Sequence, residues 1–216
     1  MPILDFWFEF ASTYSYPACL RADRLAEQAG VALRYRPFLL GPIFKAQGWD
    51  TSPFNLYASK GRYMWRDLER ICADLGLPFR RPSFFPQNSL LAARVAVAGD
   101  GESWQRPFCR AVYTAEFGEA RRIDDPAVIA DILREIGAPL ETAFALAQSE
   151  AVKSRLRGQT EEAGRLGIFG APSFVAADGE LFWGNDRLET ALAWAKRTAG
   201  SGPSATGSGT QPAAQG

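Results

Sequence analysis

The sequence predicts an α/β fold: a mixed four-stranded sheet built from an N-terminal βαβ unit and a C-terminal αββα unit, with an all-helical insertion between them. Three observations carry this. Leu4, Phe6, Phe8 and Phe10 alternate with Asp5, Trp7 and Glu9, a two-residue period that breaks at Ala11 to Ser15 and gives way to helical spacing. Near the other end, Ser173 to Ala177 and Glu180 to Trp183 are extended runs divided by Asp178-Gly179, a pair suited to a tight hairpin turn. Between these ends, residues 41–149 show only helical periodicity and loop signals.

Each element follows in turn. After the first strand, Ala18, Cys19, Ala22, Leu25, Ala26 and Ala29 share one helical face, Arg21, Asp23, Arg24 and Glu27 lie largely opposite, and Gly30 supplies a stop. Val31, Leu33 and Tyr35 then alternate with Ala32, Arg34 and Arg36 until Pro37, completing a strand–helix–strand unit whose strands are expected to be parallel. Gly41-Pro42 and residues 48–53 are loop signals. Helices are expected through Met64, Leu68, Ile71 and Leu75, closed by Gly76 and Pro78; over 89–98, capped by Asn88; and over 103–116. Asp125-Pro126 pairs an N-cap with a proline at the first helical position, that helix ends at Gly137, and Pro139 opens a short one. A helix over 150–166 ends at Gly167 and leads to the hairpin. Asp186 and Glu189 form an aspartate version of a capping box before Leu188, Leu192 and Ala195, and Lys196 and Arg197 suit that helix's C-terminal dipole. Residues 199–216 offer nothing to bury and are expected to be a disordered tail. This order is the thioredoxin arrangement: residues 1–40 and 150–198 would form a discontinuous thioredoxin-like domain, and 41–149 a helical insertion domain.

Composition narrows the chemistry. With 216 residues, 47% of them hydrophobic, the chain can bury one sizeable core or a core domain carrying an insertion. The 24 basic and 24 acidic residues balance, which gives no reason to expect nucleic acid or an anionic membrane surface as partner. No apolar run approaches the ~20 residues of a membrane span. No basic-then-apolar leader opens the chain, and Cys19, Cys72 and Cys109 show no disulfide-framework spacing, so a cytoplasmic location is expected. The three cysteines read as buried, inert thiols. Histidine is absent, which excludes a serine–histidine–acid triad, a cysteine–histidine dyad and a histidine metal site; no metal is expected.

Two stretches carry candidate chemistry. The strand-to-helix turn at Ala11 to Ser15 is expected to leave backbone N–H groups unpaired at a helix N-terminus, which attracts an anion. Ser12 sits on that turn, where the ordinary role of serine is a helix cap. Ala171-Pro172 directly precedes the hairpin. It is either a rigid start to a strand or, if cis, an edge whose preceding N–H and C=O pair with an extended peptide ligand.

Five segments carry a resemblance: DFWFEFASTYSY at 5–16, SKGRYMWRDLER at 59–70, FPQNSLLAAR at 85–94, GIFGAPSFV at 167–175 and GELFWGNDRL at 179–188. In this order they resemble the 2-hydroxychromene-2-carboxylate isomerases and kappa-class glutathione transferases, in the DsbA-like branch of the thioredoxin superfamily. The resemblance implies glutathione as cofactor. It sets Ser12 where a redox-active relative has its first cysteine and Ser15 where it has the second, and two serines cannot cycle between dithiol and disulfide. Ser12 is thus the implied catalytic residue, its hydroxyl donating to the glutathione sulfur while the helix N-terminus favours the thiolate. Lowering a thiol pKa from ~8.5 by one to three units needs ~1.4–4 kcal/mol, which a charged hydrogen bond (~1.5–3) and a dipole (~0.3–1) supply.

The other recognition residues carry over one by one. Ala171, before Pro172, is implied to pair its backbone with the cysteinyl segment. Asn185 and Asp186 are implied to hold the γ-glutamyl end, Asp186 taking its ammonium, a role compatible with capping. Lys60 would approach the glycyl carboxylate; otherwise it is a solvated helix lysine. Relatives often place an asparagine in the loop before this lysine, whereas this chain reads Gly48-Trp49-Asp50-Thr51-Ser52. Trp49, Tyr63 and Asn88 are the candidates to line an aromatic substrate pocket, and ordinary packing is the simpler role for Tyr63 and Trp65. The implied function is a glutathione-dependent cis–trans isomerase of an aromatic-catabolism intermediate, of the 2-hydroxychromene-2-carboxylate to trans-o-hydroxybenzylidenepyruvate type, acting on a small aromatic molecule as a homodimer. Two alternatives stand beside it: a kappa-like transferase that conjugates glutathione to an electrophile, and a thioredoxin-fold binding or chaperone module without chemistry.

Overall fold

The computed structural model describes residues 1–49 and 53–199. At its centre β1 (Ile3–Phe8) runs parallel to β2 (Ala32–Pro37) and antiparallel to β3 (Ser173–Ala176), and β4 (Leu181–Trp183) pairs antiparallel with β3, giving the order β2-β1-β3-β4. The register sets Phe6 opposite Tyr35 on one side and Phe174 on the other. Its ring stacks on Phe174 and meets Tyr35 edge-on, each at 5.3 Å between centroids.

Alternation along β1 sorts its side chains between two faces. Leu4, Phe6 and Phe8 join Leu33, Tyr35 and Phe174 in the main core. Trp7 points the other way, into a smaller cluster with Phe38, Ile43, Ala163, Ile168 and Val175. With both faces covered, the strand tolerates few polar residues. Asp5 is nearly buried, and its carboxylate is gripped by Arg34, whose Nη2 donates at 2.6 Å.

Helix α1 (Ser15–Ala29) ends at Gly30, whose φ of 70° lets its N–H turn back to Glu27 while Val31 N–H reaches Ala26, the paired closure that glycine favours. The insertion then supplies α2 (Leu40–Ala46), α3 (Pro53–Leu56), α4 (Ala58–Leu75), α5 (Leu90–Ala98) and α6 (Gln105–Tyr113). A π-helical turn at Thr114–Gly118 continues α6, and α7 (Pro126–Glu135) and α8 (Leu140–Gln148) follow. Helix α9 (Glu150–Arg165) leads back to the sheet, and α10 (Leu188–Thr198) closes the fold after a 3-10 turn at Asn185–Arg187. Phe108, Val112 and Leu133 of the insertion share one continuous core with Phe6 and Phe8, so the proposed division of the chain is one of topology, not of separate cores.

Some expectations need correction. Gly41-Pro42 is not a loop but the first turn of α2, where a proline has no helical hydrogen bond to lose. Asp186 does not cap α10: the helix starts two residues later without a side-chain cap, and Glu189 pairs with Arg21 instead of reaching back. Asp125 does cap α7, accepting from Ala127 N–H at 2.8 Å, and Asn88 accepts from Leu90 N–H at 3.0 Å at the head of α5. Of the expected tail at 199–216, all but Ala199 lies outside the described residues, as do Asp50, Thr51 and Ser52.

Candidate active site

A cavity of about 840 Å³ opens beyond the C-terminal end of β1. The turn Ala11 to Tyr14, α2, the segment Phe85 to Leu90 and the loop Phe169 to Ala171 enclose it, and Trp183 and Lys60 stand at its edge. Its wall is mainly apolar and aromatic, as suits a small organic molecule.

Ser12 joins the two stretches that the sequence singled out. Its Oγ–H donates to the Ala171 carbonyl at 2.8 Å, across 159 residues of chain. The capping role is therefore overturned: α1 has Tyr14 at its N-cap and no side-chain cap. The turn also closes more of its own donors than expected. Ser12 N–H reaches Glu9 O (3.0 Å), Ser15 N–H reaches Ser12 O (3.1 Å) and Tyr16 N–H reaches Thr13 O (3.3 Å). Among the described residues, nothing accepts from the N–H groups of Thr13 and Tyr14. Ser15 is fully buried, so of the two serines Ser12 is the one on the cavity wall.

Opposite this turn, the Ala171–Pro172 peptide is cis, and Gly184 N–H holds the Pro172 carbonyl at 2.9 Å. Ala171 lines the cavity beside Gly170, where a Cβ would come within 2.5 Å of the Trp183 indole nitrogen. That close approach lets Trp183 lie over the loop, 5.0 Å from the ring of Phe169. Lys60, in the first turn of α4, reaches the rim with its ammonium 4.9 Å from the Tyr57 ring centre. Trp49 lines the cavity 6.1 Å from the Phe44 ring, and Asn88 lines it from the head of α5.

Four expected site residues lie outside the described wall. Tyr63 is 61% exposed beneath the Arg70 guanidinium and is not part of the described wall. Asn185 and Asp186 are also absent from it, and so is Pro172, the expected partner of Ala171 in glutathione binding, although the cis peptide joins it to the wall residue Ala171. The Asn185 amide oxygen accepts from Arg21 Nη2 at 3.1 Å, and its carbonyl accepts from the same nitrogen at 2.6 Å, so its side chain clamps α1 to α10. Asp186 is exposed, with Arg187 at 3.4 Å.

The electrostatics centre on carboxylates and thiols. Glu9, 7% exposed, borders the cavity and accepts from the Ser89 hydroxyl and Ala11 N–H, yet burial outweighs these donors and pushes its pKa up to about 7. Behind it Glu116, in the π-helical turn, is fully buried, and among the described residues neither of its oxygens has a partner. Burial first, then the nearby Glu9 and Asp124 charges, hold Glu116 well above the ordinary carboxylate range. All three cysteines are buried, and burial raises each thiol: Cys72 to about 11, Cys19 and Cys109 further. The protein has no thiol of its own to ionise near neutrality.

The family model described as the DSBA-like thioredoxin domain matches residues 3–193. The chain belongs to this DSBA-like family. Among similar proteins, a 2-hydroxychromene-2-carboxylate isomerase of Sphingobium xenophagum is 29% identical over 187 residues, spanning 86% of this chain and 94% of that one. Human glutathione S-transferase kappa 1 is also 29% identical, over 86% of this chain and 87% of its own. A solved 2-hydroxychromene-2-carboxylate isomerase superposes with a TM-score of 0.80 at 27% identity, covering 91% and 96% of the two chains.

What sequence reasoning missed in this DSBA-like site is mostly its walls. Phe44, Phe169 and Trp183 come from three separated segments, and so does the second cis peptide, Phe85–Pro86. Glu9 was legible in principle: a charged residue between two phenylalanines at the C-terminal end of a central strand stands where α/β sheets hold ligands.

Proposed function

We propose that this protein is a glutathione-dependent cis–trans isomerase of an aromatic-catabolism intermediate, of the 2-hydroxychromene-2-carboxylate type. The observation that carries the reading is the Ser12 hydroxyl at the head of α1, on the wall of an apolar cavity, in a chain whose own thiols are all buried. A reactive sulfur, if one is used, comes from outside.

The residues present suit glutathione. Ser12 would exchange the Ala171 carbonyl for the sulfur, giving up a neutral hydrogen bond (~1 kcal/mol) for one to an anion (~1.5–3 kcal/mol). That exchange frees the Ala171 carbonyl for the cysteinyl segment. The open N–H groups of Thr13 and Tyr14, with the α1 dipole, favour negative charge at the same place. Lys60 at the rim would take the glycyl carboxylate, and the exposed Asp186 the γ-glutamyl ammonium. Asn185 would act by holding α10 through Arg21. When bound, glutathione supplies a thiolate that adds reversibly to a conjugated double bond, so that the bond can rotate. Trp49, Asn88, Phe169 and Trp183 would flank the aromatic substrate.

The test is ultraviolet turnover of 2-hydroxychromene-2-carboxylate to trans-o-hydroxybenzylidenepyruvate. Turnover should require glutathione without consuming it, and Ser12→Ala should lower kcat more than it weakens glutathione binding. Turnover without glutathione would refute the reading. The equal identity to a kappa-class transferase supports a second reading, conjugation to an electrophile, in which glutathione is consumed. In either case we propose action in the cytoplasm, as a homodimer. Among the described residues no helix is long and apolar enough to cross a membrane.

A further inference from the structure

We propose that Glu9 is the acid–base residue of this cavity, giving its proton to the carbonyl oxygen of a conjugated substrate and taking it back in the reverse step. The proposal rests on the thiol-addition reading above and adds to it the group that handles the proton.

Geometry comes first. Glu9 follows the last residue of β1, and the turn carrying Ser12 is tied to it, Ser12 N–H donating to the Glu9 carbonyl. The Tyr113 hydroxyl fixes the same carbonyl at 2.9 Å. Among the described residues of the wall, Glu9 and Lys60 are the acid and the base, and Lys60 stands at the rim. The other ionisable lining group, Tyr14, gives its hydroxyl to Asp67 at 3.1 Å and is held above the ordinary phenol range, chiefly by burial. Glu9 is therefore the one carboxyl among the described residues of the wall, and burial brings its pKa up to about 7.

Its surroundings hold both protonation states within reach. The Ser89 hydroxyl, from the head of α5, and Ala11 N–H favour the anion, while burial favours the acid. From α6 and the turn beyond it come Tyr113 and Glu116, whose phenol and carboxyl are both held well above their ordinary ranges, chiefly by burial. A proton donor that must later act as acceptor works best with a pKa near the working pH. A carboxyl serving only to tie β1 to α5 could be replaced by a neutral amide, which would avoid the cost of burying a charge.

The step balances. The far carbon of the double bond accepts a bond from the external thiolate, the double-bond pair becomes a new bond to the carbonyl carbon, the carbonyl π pair passes to its oxygen, and that oxygen takes the Glu9 proton. The former double bond is then single and turns. In reverse, the oxygen returns its proton to Glu9, the double bond re-forms and the carbon–sulfur bond breaks. No net proton or electron is gained.

Two readouts test this on the whole chain. Without any ligand, infrared difference spectra against Glu9→Gln should isolate a carboxyl band titrating near the value of about 7. Ser89→Ala, which removes a donor to the anion, should move that midpoint upward and carry the matching limb of the kcat–pH profile with it. Glu9→Gln should lower kcat by ~100-fold or more, the usual effect of losing a general acid–base group, and erase that limb, with KM for glutathione nearly unchanged. Circular dichroism checks both folds; should Glu9→Gln not fold, the paired shift in Ser89→Ala decides alone. A Glu9→Gln variant with wild-type kcat and pH profile, or a limb that ignores Ser89→Ala, would overturn the proposal and leave the isomerase reading intact. A wild type with no glutathione-dependent turnover would overturn both.

Discussion

Glu9 shows how one buried side chain sets a pH dependence for the whole protein. Its pKa rises from 4.5 to about 7 on folding, so the native state holds the proton more tightly than the unfolded chain. Its stabilising contribution is complete below the unfolded value and is lost as pH rises through the folded one, ~3 kcal/mol for a shift of this size. Glu9→Gln should therefore lose less stability than wild type between pH 4.5 and pH 7, measured as urea midpoints across that window. A variant whose midpoints fall in parallel with wild type would contradict this. Ser12 teaches the converse lesson at this scale. Its identity and its turn were visible in the sequence, but its partner was not, because the hydroxyl reaches a carbonyl 159 residues away instead of capping the next helix.

At the scale of elements, local chemistry was legible where local forces decide. The stop at Gly30, the Asp125-Pro126 start of α7 and the turn at Asn88, whose side chain accepts from Leu90 N–H one residue ahead of the Ser89 N-cap, all rest on a few neighbouring backbone groups. Asp125→Ala removes an oxygen that accepts from Ala127 N–H and should lower stability by about 1 kcal/mol, read from chemical denaturation; no loss would mean that solvent caps the helix equally well. Legibility failed where tertiary partners compete. Glu189 is drawn to Arg21 instead of completing a capping box, and Gly41-Pro42 starts a helix because first-turn residues need no helical donor. The π-helical turn that buries Glu116 left no pattern that a 3.6-residue period could show.

For the whole molecule, the sheet and the insertion share one hydrophobic core. Phe10, just past β1, lies 5.1 Å from Tyr113 and 6.2 Å from Phe108 of α6, so the insertion packs directly on the segment that carries the site. Phe108→Ala should cost ~3–5 kcal/mol and still melt in one transition by both far-ultraviolet dichroism and tryptophan fluorescence; two separated transitions would divide the core that the structure joins. Topology was readable from the order of strand and helix patterns. The cavity was not, since its wall is assembled from segments whose proximity only the closed fold creates. The resemblance supplied Ser12, Ala171 and Lys60 as a set, and the structure brings these three to one cavity while leaving Tyr63, Pro172, Asn185 and Asp186 outside its described wall.

The claim beneath all of this is that the protein ionises a thiol it does not own. Thiolate absorbance of glutathione in the complex, followed against pH in wild type and Ser12→Ala, tests it most directly. The account predicts a wild-type midpoint at least one unit below the free value of ~8.5, with Ser12→Ala returning it upward by about one to two units, the equivalent of one hydrogen bond to an anion. A wild-type midpoint equal to that of free glutathione, or one that Ser12→Ala leaves unmoved, would contradict it.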